Sequence, residues 1–148
     1  MQIEFARVSS YTAFMKKLSL KASCLCGSVQ LKTHGFHLDV ENCHCIQCMK
    51  THGHYAAYTN IQEQNAKFLK KRTLKWFRSS KNAKRGFCSK CGASLFFKQI
   101  GSNNISIAAG MFNGPTKLKT KMNIFVKGKL DYYKLDNHLP KFERYPKK

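Results

Sequence analysis

The sequence predicts a mainly β fold in a single domain. Three observations carry that reading: apolar residues recur at every second position, turn residues interrupt the chain at short intervals, and no long stretch keeps a helical period. Leu18, Leu20 and Ala22 alternate with Ser19 and Lys21, and Val29 and Leu31 with Gln30 and Lys32. The pattern returns at Leu74 and Trp76, at Ile105 and Ile107, and at Ile124 and Val126. Residues two apart on a strand share a face, so each segment reads as a half-buried strand. Gly27, Gly35, Gly53, Ser79-Ser80, Gly92, Gly101 to Asn104, Asn113-Gly114-Pro115 and Gly128 supply turns at a spacing typical of a sandwich.

Two segments depart from this pattern. A short helical turn is expected after Cys45, through Met49 and Lys50, with Gly53 to end it. Residues 62–72 carry an amphipathic helical pattern, which a loop followed by an edge strand fits as well. The tail from His138 holds Pro140 and Pro146 and is expected to be irregular.

The 148 residues include 11 Phe, 6 Tyr and one Trp, with 43% apolar content, enough for one buried core. Met1 to Leu20 lacks the continuous apolar run of a secretory signal, and nothing approaches the roughly 20 apolar residues of a membrane span. A cytoplasmic, reducing location is therefore expected, with no membrane partner. That decides how the seven cysteines are read, since an odd count also leaves one over in any disulfide scheme. Metal ligation is the better account.

The cysteines fall in three groups: Cys24-Leu25-Cys26-Gly27, Cys43-His44-Cys45-Ile46-Gln47-Cys48, and Cys88-Ser89-Lys90-Cys91-Gly92. On a strand Cys24 and Cys26 point the same way, and Cys88 and Cys91 suit a tight turn with Gly92 at positive φ. Together they make a closed, four-thiolate structural zinc site. The middle group offers three thiolates, leaving a vacant corner for a substrate, the pattern of a catalytic zinc. His44, His52 or His54 closing that corner, or metal-free redox thiols, are the alternatives. A three-thiolate zinc carries a net negative charge, which suits thiol activation better than water activation.

The balance of 27 Lys+Arg against 7 Asp+Glu gives a net charge of +20. Such a charge favours anionic partners. The lysines are spread along the chain and few of the basic residues are Arg, so a solvated basic surface accounts for them. A second functional reading follows from it nonetheless: a zinc-stabilised, non-catalytic module that binds nucleic acid or acidic proteins. Aromatics interleaved with lysines, in Phe68-Leu69-Lys70-Lys71 and Lys75-Trp76-Phe77-Arg78, would then stack bases. Their alternation fits core packing better.

The order C-x-C-G, C-H-C-x-Q-C, G-H-Y and G-F-C-x-x-C-G-x-x-L-F resembles the glutathione-dependent formaldehyde-activating enzyme family. The likeness continues in Ile105 to Gly110, Asn123 to Val126, Asp131-Tyr132-Tyr133 and Leu139-Pro140, so it spans about residues 18–146. It implies stacked antiparallel sheets of the Mss4-like zinc-binding fold, covering residues 18–148 behind an N-terminal extension at 1–17. It also implies a structural zinc on Cys24, Cys26, Cys88 and Cys91 and a reactive zinc on Cys43, Cys45 and Cys48. The implied activity is that of a carbon–sulfur lyase that adds glutathione to formaldehyde. His54, through its place in G-H-Y, is the candidate proton carrier, and Lys50 the cation that steers an anionic thiol. Ile46, Met49 and Asn123 depart from the family pattern, which often has a small Ser, an Arg and a His there. The basic surface is similar to that of the centromere protein V branch.

Overall fold

The computed structural model describes residues 19–35 and 39–146, in which two sheets stack around a common core. The smaller sheet joins β1 (Ser19–Ser23), β2 (Gln30–His34) and a third strand from Ala66–Lys70. In chain order the remaining strands are β3 (Asp39–Cys43) and β4 (Ala56–Gln62), followed by the Ala66–Lys70 strand as β5. Then come β6 (Leu74–Ser80), β7 (Ala83–Cys88), β8 (Ser94–Gln99), β9 (Asn104–Ala108), β10 (Lys119–Ile124) and β11 (Lys141–Phe142). Among the described residues the larger sheet has eight strands, in the order β11-β10-β3-β4-β9-β8-β7-β6. The expected extension at 1–17 and Leu18 lie outside the described residues.

The fold is mainly β with stacked sheets, and its strand pairs are antiparallel except around β10. β10 runs parallel to β3 and to β11. Parallel neighbours need a long connection rather than a hairpin. Residues 109–118 carry the chain from β9 past β4 and β3, with Phe112 bridged to Ala22, so that β10 enters parallel to β3, and residues 125–140 return it to β11. Alternation along the chain shows apolar spacing but not which strands become neighbours, so this pairing was not foreseen. The ambiguous residues 62–72 resolve as a 3-10 turn, Glu63–Asn65, followed by β5 at the edge of the small sheet. The tail contributes the two residues of β11, and Val126 falls beyond β10 in a 3-10 turn.

The large sheet has two differently used faces. Toward the small sheet, Ile61, Leu95, Phe96, Ile105 and Ile107 pack with Leu20, Ala22 and Leu31. On the other face, Ala56, Tyr58 and Ile124 pack with Cys43 and Cys48, and Phe97 and Met122 lean against them. β4 shows the division within one strand: Ile61 faces inward, Ala56 and Tyr58 outward. Phe68 and Trp76 pack around Phe96, with centroids 5.6 and 5.9 Å away, so both rings are spent on the core.

Gly86 in β7 is held against this core. A Cβ there would lie 3.0 Å from Phe96 Cδ2 and 3.2 Å from both Leu74 Cδ1 and Trp76 Cη2. Three packed side chains leave little room to yield. Gly86→Ala is expected to cost about 1–3 kcal/mol by overpacking and to lower the thermal midpoint by several degrees. An unchanged midpoint in a melting curve would show that the three side chains move aside freely.

Candidate functional site

The first cysteine group ties the sheets together. Cys24 and Cys26 follow β1, while Cys88 ends β7 and Cys91 sits in the turn before β8. Gly27 (φ 70°) and Gly92 (φ 72°) turn the chain behind each pair, where a side chain would be strained. All four sulfurs lie within 4.8 Å of one another and can hold a metal ion. Cys26 Sγ is 3.6 Å from Cys24 Sγ and 3.7 Å from Cys88 Sγ. Sulfurs about 2.3 Å from a tetrahedral zinc are separated by roughly 3.8 Å, whereas a disulfide brings them to about 2.05 Å. The spacing therefore fits an ion.

Local donors prepare these sulfurs. Val29 N–H donates to Cys24 Sγ at 3.3 Å, and the Thr73 hydroxyl lies 3.2 Å from Cys88 Sγ. Burial pushes the Cys24 thiol up to about 11. Burial opposes ionisation of Cys88 too, but Thr73 and the backbone N–H groups of Cys91 and Lys90 bring it down to about 6. Such a set of soft donors suits zinc well.

The second group lies on the outer face of the large sheet. Cys43 ends β3, Cys45 caps helix α1 (Ile46–His52), and Cys48 lies in its first turn. The helix expected after Cys45 is present, and Gly53 (φ 76°) ends it with its N–H on Met49 O. Gln47 Nε2 donates to Ser79 O at 3.1 Å and Ser94 Oγ to Thr51 O at 2.8 Å, which lays α1 across the sheet. Gly128 closes in from the other side: a Cβ there would lie 3.3 Å from His44 O. The sulfurs of Cys43, Cys45 and Cys48 lie within 4.8 Å of one another and can also hold a metal ion.

The three thiols share their protons unequally. Bonds from Cys43 and Cys48 hold Cys45 far down, at about 2, with a smaller contribution from Arg85. Cys43 is pushed up by its bonds to Cys45 and Cys48 and then by burial. Protons shared among crowded sulfurs are the ones a divalent cation displaces when it binds.

None of the three histidines weighed as a fourth ligand joins this group. His44 is fully buried, with Nε2 2.9 Å from Asn123 Oδ1 and Nδ1 2.6 Å from the Tyr133 hydroxyl. Asn123 Oδ1 can only accept, so Nε2 carries the proton and Nδ1 accepts from Tyr133. Burial lowers the His44 pKa and favours this neutral ring. His52 Nε2 pairs with the Tyr58 hydroxyl at 2.9 Å. His54 Nδ1 lies 3.3 Å from the Tyr132 hydroxyl, its ring packed on Tyr55 and Tyr133 at 4.7 and 4.2 Å. Among the described residues, then, no His, Cys, Asp or Glu completes a foursome at the second site.

Lys50 is exposed on α1 and is not drawn into the sulfur cluster. The cation that does reach it is Arg85 of β7, whose Nη2 donates to Cys48 Sγ at 3.5 Å. Among so many basic residues Arg85 did not stand out, although an Arg at an apolar position of an alternating strand was the available signal. The family departures also find places. Asn123 docks His44, Met49 is buried with its sulfur 4.0 Å from the Tyr133 hydroxyl, and Ile46 is exposed.

Residues 19–128 match the family described as glutathione-dependent formaldehyde-activating enzyme. An uncharacterized lyase of Schizosaccharomyces pombe is 26% identical over 124 residues, 82% of this chain and 89% of that protein. The crystal structure of a Rhodobacter sphaeroides protein shares the fold, with a TM-score of 0.55 and 20% identity over 65% of this chain and 90% of that one. No helix among the described residues is long and apolar enough to cross a membrane.

The two groups differ in what they hold in place, and that difference can be measured. Cys88→Ser is expected to unfold or strongly destabilise the protein, because its sulfur joins the sheets. Cys45→Ser is expected to keep the far-ultraviolet circular dichroism of the parent while losing about one metal equivalent. Equal destabilisation by the two changes would refute this division of roles.

Proposed function

The chain belongs to the glutathione-dependent formaldehyde-activating enzyme family, and on that premise we propose that it is a zinc-dependent carbon–sulfur lyase. It would activate a thiol such as glutathione for reversible addition to a small aldehyde, formaldehyde being the family's own. Cys24, Cys26, Cys88 and Cys91 would hold a structural ion, and Cys43, Cys45 and Cys48 a second one. A zinc ion held by these three thiolates would supply an open position at which direct bonding to the divalent ion lowers the pKa of a substrate thiol. The observation that carries the reading is the incomplete sulfur trio, whose neighbouring histidines are all engaged elsewhere.

The chemistry balances without an oxidant or reductant. The thiol sulfur bonds to the carbonyl carbon, the C=O pair moves to oxygen, and the proton released by the thiol ends on that oxygen. His54 is proposed to carry this proton. Its ring is partly exposed, so it can exchange with solvent, while Tyr132 and Tyr133 hold its orientation. Lys50, exposed beside the cluster on α1, is proposed to draw in the carboxylates of an anionic thiol. The His44–Asn123–Tyr133 chain keeps the loop between Cys43 and Cys45 in one conformation. The binding-module alternative draws less support, since Phe68 and Trp76 pack around Phe96 in the core and, of the three rings weighed for stacking, Phe77 alone is exposed.

Glutathione added to the cobalt-substituted protein is expected to change its visible absorption, and glutathione disulfide, which has no free thiol, is expected not to. Absence of any response to thiols would remove the proposed activity. His54→Gln is expected to slow thiol–formaldehyde exchange, followed by NMR of labelled formaldehyde, by about 10²-fold or more with thiol affinity kept.

A further inference from the structure

Arg85 occupies an unusual place for a cation. In β7 it stands opposite Phe77 of β6 and Phe97 of β8, on the outer face of the large sheet. Its side chain runs beneath α1, where Nη2 donates to Cys48 Sγ and to Gln47 Oε1, both at 3.5 Å, and the guanidinium lies over the Phe97 ring at 5.2 Å. Only 5% of the residue is exposed. Nε and Nη1 have no hydrogen-bond partner among the described residues. Nor does it form an ion pair there: the pairs found are Lys98–Glu63 and Lys121–Asp39.

A guanidinium stays charged at every accessible pH, so this is a buried positive charge with no carboxylate to neutralise it. The negative charge within reach is that of the sulfur cluster. Three thiolates around a divalent ion carry one net negative charge, and a fourth thiolate raises it to two. Accumulating that second charge in a buried setting is unfavourable unless a cation offsets it. Arg85 is in contact with one of the sulfurs, its guanidinium held over the Phe97 ring, with donors unspent.

We propose that Arg85 is the positioning residue that allows the Cys43, Cys45 and Cys48 centre to accept a fourth, anionic sulfur ligand, by compensating charge through Cys48. This rests on the thiol-activation reading above and assigns the selectivity of that site for thiolates over neutral ligands. Arg85 acts on the centre rather than on the carboxylates of the incoming molecule. Lys50, exposed on the helix, is the separate group that meets those.

Two probes separate these roles: glutathione, which has carboxylates, and 2-mercaptoethanol, which has none. Each is titrated into cobalt-loaded parent and Arg85→Met proteins, with circular dichroism as the folding control. Arg85→Met is expected to weaken both thiols by a similar factor of tenfold or more, with Arg85→Lys recovering part of the loss. Unchanged affinities in Arg85→Met overturn the inference, and so does a loss confined to glutathione, which would place Arg85 on a carboxylate instead. If Arg85→Met does not fold, Arg85→Gln replaces it in the same titration. A parent protein that responds to neither thiol overturns the thiol-activation reading itself, and this inference with it.

Discussion

The meeting of two turns at four sulfurs is the constraint on which the rest of the structure depends. Cys24 and Cys26 belong to the small sheet's connection and Cys88 and Cys91 to the large sheet's. The three short strands of the small sheet need a second apolar surface to cover their one apolar face. Here that face packs Leu20, Ala22 and Leu31 against Phe96, Ile105 and Ile107, and the sulfur cluster anchors one end of the contact. With the inner face fixed in this way, the outer face of the large sheet is free to carry chemistry.

That outer face is organised around the shorter cluster. α1 is laid across it by hydrogen bonds to Ser79 and from Ser94, and Gly128 presses on the loop beside Cys45. Beneath the helix, polar groups follow one another from the Cys48 sulfur to Arg85, and from the Tyr58 hydroxyl to His52. On the other side His44 links Asn123 to Tyr133. The sulfurs are thus held by two separate polar networks on a rigid sheet, the condition under which a ligand set keeps its geometry.

Much of this was legible in the sequence because it is local. Cysteine pairs two or three residues apart chelate whatever the rest of the chain does, and glycines at positive φ mark the same turns in sequence and in space. Period-two alternation located β1, β2, β6, β9 and the end of β10, and Gly53 ended α1 where expected. What was not legible depends on contacts between distant segments. β10 joins β3 in parallel only because residues 109–118 cross the molecule. Arg85 matters because β7 and α1 meet, and in a chain with 27 Lys+Arg no local pattern distinguishes it. His44 looked like a possible ligand until Asn123 and Tyr133, far along the chain, took both of its nitrogens.

The two sulfur clusters also differ in the length of chain they close. Cys43, Cys45 and Cys48 sit on one short loop, whereas Cys26 and Cys88 are 62 residues apart. Closing a longer loop costs more entropy, about 0.6 kcal/mol for each doubling. The short cluster is therefore a competent chelator in a chain that has not yet folded, and metal bound there adds correspondingly little to the folded state. The long cluster does not exist until strands from both sheets have met. During synthesis the cysteines of the short cluster emerge, able to capture an ion, well before Cys88 and Cys91 leave the ribosome to complete the long one.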